Sequence, residues 1–111
     1  MNLDQGTQST AAGATTENVL FGRLFQFAPY NGWCRISCTA EAAGESRITI
    51  YAGTRAVMQE SSISRAARVP LLPDDVLVTF PIRRGEQIVV KHRNTGAGAN
   101  TLFWRQDLRP A

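Results

Sequence analysis

Histidine and lysine occur once each in this 111-residue sequence, cysteine occurs twice, and charged residues make up only 19% of it. Each shortage excludes a class of chemistry. A single histidine, His92, leaves little room for a His-based metal cluster, and two cysteines without a second Cys pair do not make a tetrahedral zinc site. No run of 18 apolar residues exists, so no helix of membrane-spanning length is expected, and no membrane partner. The opening Met1–Gly6 lacks both a basic stretch and an apolar stretch. That argues against a secretory signal and for direct synthesis in the cytoplasm.

The two cysteines fall in Trp33–Thr39. If this is a strand, Cys34 and Cys38 share a face but lie four residues, or roughly 13 Å, apart. A disulfide needs Cα atoms within about 7 Å. Only a helix or tight turn would let them bridge, so they are expected as reduced core residues. The charged share is below the roughly 25% of ordinary domains. A neutral surface suits a protein that lives against neighbours, and it equally suits a small β domain rich in Ser, Thr and Ala. The net charge is +3, and the basic residues other than Lys91 are all arginine. Arginine favours bidentate pairing at interfaces, although a GC-rich genome gives the same bias. The arginines are scattered, without the basic stripe and interleaved aromatics of a nucleic-acid surface, so nucleic acid is not an expected partner.

Residues 1–17 are small and polar and offer almost nothing to bury. They predict an arm, ordered against neighbouring subunits or else a free tail. Residues 18–106 predict one domain, followed by a tail over 107–111. Asn18–Ala28 reads as a strand with apolar residues on both faces: Val19, Phe21, Phe25 and Phe27 on one, Leu20 and Leu24 on the other. Pro29–Gly32 reads as a turn. Strands follow at 33–40, 47–52 and 76–80, with residues 55–69 undecided between strand and helix. Pro70 and Pro73 mark a loop. The clearest stretch is Pro81–Arg105. Arg84-Gly85-Glu86 turns into a run with Ile88, Val90 and His92 on one face. A small-residue loop over 94–100 then leads to a run with Leu102 and Trp104 on one face, as in an antiparallel pair. Seven or eight short strands at spacings near ten residues predict an all-β, single-domain antiparallel β-sandwich, jelly-roll or immunoglobulin-like.

Catalytic patterns are weak. No serine sits in a Gly-x-Ser-x-Gly context. A catalytic cysteine would need a histidine base, and His92 lies in the most regular strand, where a hydrogen-bonded structural histidine is expected. Asp74 and Asp75 are adjacent and point apart on an extended chain. Gly96-Ala97-Gly98 lacks the lysine and the helix of a phosphate loop. No cofactor, metal or small-molecule substrate is expected, and no enzymatic activity. The candidate contact residues are two arginine pairs, Arg65 with Arg68 and Arg83 with Arg84, and the uncharged hydrogen-bonding groups Asn94, Thr95 and Asn100. Each arginine pair is either solvated or pairs with carboxylates of another subunit. Trp33 and Trp104 are either core anchors or stacking platforms for sugars.

Taken together, the polar arm, the small β domain, the Gly-Glu-Gln-Ile-Val-Val strand and the Asn-Thr-Gly-Ala-Gly-Ala loop resemble the small β-sandwich virion proteins of bacteriophages. These include capsid cement or decoration proteins and minor capsid proteins. The resemblance spans residues 18–105. It implies a structural protein of the virion, made in the host cytoplasm, that meets the major capsid protein and copies of itself through its arm, sheet edges and loops. The competing expectation is a carbohydrate-binding sandwich that uses Tyr30, Trp33, Tyr51 or Trp104. An ordered arm favours the first, and an exposed row of aromatics favours the second.

Overall fold

The computed structural model describes residues 2–41, 46–62 and 76–111. Eight strands follow one another: β1 (Asn2–Thr10), β2 (Thr15–Thr16), β3 (Gly32–Ala40), β4 (Ser46–Ala52), β5 (Arg55–Ser62), β6 (Val76–Ile82), β7 (Ile88–Asn94) and β8 (Asn100–Pro110). Among the described residues there is no helix. Two antiparallel sheets form, in the orders β1-β8-β3-β6 and β2-β7-β4-β5. The hydrogen-bonded pairs include 1 with 8, 2 with 7, 3 with 6 and 4 with 5. The chain is therefore folded back on itself as one long hairpin, and the hairpin is rolled so that β3 also meets β8 and β4 meets β7. This is the jelly-roll order of a β-sandwich.

Alternation along the strands builds the core. Cys34, Ile36, Cys38 and Ala40 of β3 point inward, with Ile48, Ile50 and Ala52 of β4, Ile88 and Val90 of β7, and Leu102, Trp104 and Leu108 of β8. Burying an Ile or Leu side chain completely contributes about 1.5–3 kcal/mol. Both thiols are buried and unbridged, and burial pushes the Cys34 thiol up to about 12 and raises that of Cys38 too. Such thiols stay protonated and unreactive.

Four expectations change. The stretch over 107–111 read as a tail is instead the end of β8 as far as Pro110, paired with β3 and with Asp107 and Leu108 buried. Over Asn2–Thr10, the stretch read as an arm is an edge strand paired with β8 along nine residues, from Asn2↔Leu108 to Thr10↔Asn100. Its inward positions are Asp4, Gly6 and Thr10 rather than large apolar residues, so its burial pattern is invisible to hydropathy. Gly6 is needed because a side chain there would meet the Trp104 indole at 3.0 Å. The inward charge on Asp4 also suits an edge, since it discourages pairing with a foreign strand.

Asn18–Ala28 is not a strand. It starts along β7 with Val19 N–H donating to Val90 C=O, leaves through tight turns, and returns where Ala28 N–H donates to Glu86 C=O. The apolar residues are thus divided by a loop rather than by a pleat: Val19, Leu20 and Ala28 are buried, while Phe21, Leu24 and Phe27 are exposed. Finally, β7 and β8 do not pair with each other. They lie in opposite sheets and face one another across the core. The structure resolves the ambiguity at residues 55–62 as strand β5. Residues 63–75, with Arg65 and Arg68, lie outside the described residues.

Candidate functional site

The candidate contact residues do not gather. Arg83 and Arg84 sit exposed on the β6–β7 turn, which is held by Gly85 at φ 86° and by Arg83 N–H donating to Glu86 Oε1 at 2.8 Å. Asn94, Thr95 and Asn100 are at the other end of β7, roughly 20 Å away at 3.3 Å per residue. Thr95 is exposed, but Asn94 and Asn100 are fully buried. Asn94 Nδ2 donates to the carbonyls of Thr10 and Gly98, and its Oδ1 accepts from Gly96 N–H. These asparagines hold the loop together from inside and present nothing to a partner.

Asn100 belongs to a polar cluster centred on His92. Ser46 Oγ lies 2.8 Å from His92 Nε2, and Thr10 Oγ1 lies 2.9 Å from Nδ1 and 2.6 Å from Thr16 Oγ1. Asn100 Nδ2 donates to Ser46 Oγ at 3.0 Å. A Ser–His contact of this length is what nucleophilic catalysis uses. Here, however, Ser46 and His92 are sealed in the core at 1% and 0% exposure, and the other ring nitrogen meets a hydroxyl, not a carboxylate. The cluster ties β1, β2, β4, β7 and β8 together. Burial lowers the His92 pKa below its usual 6.5.

The exposed large apolar side chains are concentrated at the opposite end of the sandwich. Phe21, Leu24 and Phe27 are 79%, 76% and 55% exposed within a single loop. Leu3 and Trp33 lie at the same end, in register with the last residues of β8. The loop is pinned. Arg23 forks onto Asp4, with Nη2 to Oδ1 at 2.9 Å and Nε to Oδ2 at 3.2 Å, and also donates to Gln5 C=O. Its guanidinium covers the Trp104 ring at 5.1 Å. Asp4 is nearly buried, so Arg23→Ala is expected to cost about 1 kcal/mol or more, above an ordinary surface pair. Arg23→Lys should restore only part, because it lacks the fork. Urea midpoints of the three proteins check this, and equal midpoints would show the loop to be unanchored.

Two depressions complete the surface. One, about 100 Å³, lies on the outer face of the β1-β8-β3-β6 sheet, among Trp33, Arg35, Thr79, Asp107 and Arg109. The other, about 280 Å³, lies on the opposite sheet among Glu17, Tyr51 and Lys91, where Lys91 pairs with Glu17 at 3.4 Å. The candidate sugar platforms are thus separated. Trp33 and Tyr51 are on different sheets, and Trp104 lies under Arg23 in the core. Sequence reasoning missed Arg35, Asp107 and Arg109 as a group, because nothing in their spacing shows that β3 and β8 are neighbours. Compared with known proteins, the chain matches no family model and no curated sequence.

Proposed function

We propose that the protein is a non-enzymatic structural protein of a virion, one that decorates or stabilises a phage capsid by contacts with the major capsid protein and with its own copies. The observation that carries this reading is the loop over residues 18–28. Three large apolar side chains on one pinned loop are more than a solvated surface needs, and such groups mark contact surfaces. Exposed Arg83 and Arg84, on a turn joined to that loop through Gly85 N–H to Ala28 C=O, supply the polar rim that interfaces use. The contact then runs through this end of the sandwich rather than through a detached arm.

Light scattering tests it. The full chain is expected to form an oligomer or to sediment with purified phage capsids. The triple variant Phe21→Ser, Leu24→Ser, Phe27→Ser should stay at 12.2 kDa and bind nothing. A wild-type monomer that ignores capsids would refute the reading.

A second reading, a carbohydrate-binding sandwich, is favoured by one observation. Trp33 stands 43% exposed beside a cleft lined with charged and hydroxyl groups, the kind of amphipathic platform on which sugar rings stack.

A further inference from the structure

On the outer face of the β1-β8-β3-β6 sheet, the register places two rows side by side. Pro81, Trp33 and Arg109 form one, and Thr79, Arg35 and Asp107 form the next. Directly opposite residues stand about 5 Å apart and diagonal ones about 7–8 Å. The heads of Arg35 and Arg109 can therefore reach one small ligand in the cleft between them.

The contacts in this cleft are incomplete. Arg35 Nε is buried and has no hydrogen-bond acceptor among the described residues. Its nearest carboxylate oxygen, Asp107 Oδ2, is 3.8 Å away, beyond hydrogen-bond reach. Arg105 holds Asp107 instead, with Nε 3.1 Å from Oδ2 and 3.3 Å from Oδ1, and Nη2 3.2 Å from Oδ1. A buried donor left without an acceptor is rarely kept in native proteins. Arg109 is exposed and makes no ion pair among the described residues.

Three guanidinium groups around one carboxylate leave the cleft positive, and the planar fork of arginine matches a carboxylate best. Asp107 itself lies beneath these arginines, its side chain only 3% exposed and its oxygens held by Arg105. The ligand must therefore bring an anion for the arginines and a flat C–H face for Trp33. We propose that this cleft binds a uronic acid unit. Its carboxylate lies on Arg35 and Arg109 and its ring on Trp33. The proposal rests on the carbohydrate reading and narrows it to carboxylated sugars.

The test titrates the full chain with trigalacturonic acid, galactotriose and a triglutamate peptide, by calorimetry and by NMR of the two indole N–H signals. Trigalacturonic acid should bind, and galactotriose at least about tenfold more weakly. The Trp33 signal should move while that of buried Trp104 stays. Arg109→Ala and Arg35→Lys should each weaken binding about tenfold, the effect of a lost charge-assisted hydrogen bond, with unchanged near-UV circular dichroism. Arg109 is exposed, so its removal leaves the core intact. Equal binding of galactotriose would overturn the acidic assignment and leave the carbohydrate reading standing. Triglutamate binding as tightly would overturn it by showing that charge alone suffices. No binding of any of the three at about 10 mM, weaker than about 3 kcal/mol of affinity, would overturn both.

Discussion

A chain that starts at Ala11 is expected to lose its cooperative unfolding transition. The deletion removes β1, which pairs with β8 along nine residues. Three losses follow. Trp104, only 3% exposed in the whole chain, loses the cover of Gly6 and of Arg23, whose anchor Asp4 is gone. Uncovering about half of an indole costs roughly 2–3 kcal/mol. The buried His92 Nδ1 loses Thr10 Oγ1, while Asn94 Nδ2 loses Thr10 C=O but keeps the carbonyls of Ala11 and Gly98. The orphaned ring nitrogen costs about 1–3 kcal/mol. The edge of β8 is also left unpaired along its length. Together these approach the roughly 5–15 kcal/mol that holds a whole domain folded. Urea titration with near-UV circular dichroism reads the outcome. A truncated chain that keeps a sharp transition would mean that the first ten residues are a detachable arm after all.

The stability of the full chain is expected to fall as pH drops below 6.5. Burial lowers the His92 pKa in the folded state, so below 6.5 the unfolded chain binds a proton that the folded chain does not. Stability from this group is therefore complete above pH 6.5 and is lost as pH falls toward the folded pKa, by about 1.4 kcal/mol per pH unit. The chain has no second histidine, so from pH 6.5 to 5 the dependence is assigned to His92. Denaturant midpoints across that range should slope for the wild type and flatten for His92→Gln. At pH 7 the same cluster makes His92→Ala costly, by about 3 kcal/mol, because it opens a cavity and removes one hydrogen-bond partner each from the buried hydroxyls of Ser46 and Thr10. A His92→Ala protein as stable as the wild type would mean that the hydrogen bonds of this cluster contribute nothing.

Periodicity found the strands whose inward residues are apolar. In β3, β4, β7 and β8, alternation alone grouped Cys34 with Ile36, Ile48 with Ile50, Ile88 with Val90 and Leu102 with Trp104 on one face each, and those faces are the buried ones. It also placed His92 there, and with it the expectation of a structural histidine. The same reasoning failed where burial is achieved by other means. β1 packs through a glycine beneath an indole and an aspartate beneath an arginine, and neither leaves a hydropathy signal. Residues 18–28 alternate as a strand would, yet they divide between core and solvent because the chain turns away from β7 at Leu20. A one-dimensional pattern records that a side chain is apolar, and it does not record whether anything covers it.

The sequence by itself determined that this protein is all-β, that one domain carries it, that its thiols are core residues, and which face of most strands is buried. Only the tertiary structure decided the partners: β7 with β2 and β4, β8 with β1 and β3, and hence the jelly roll. It also decided that Asn94 and Asn100 are internal, that Phe21, Leu24 and Phe27 are not, and that Arg35, Asp107 and Arg109 meet beside Trp33. The physical reason is that strand faces follow from local alternation, whereas strand neighbours follow from how the whole hairpin rolls to close its core. The group of Trp33, Arg35, Asp107 and Arg109 is assembled from β3 and β8, which are distant in the chain.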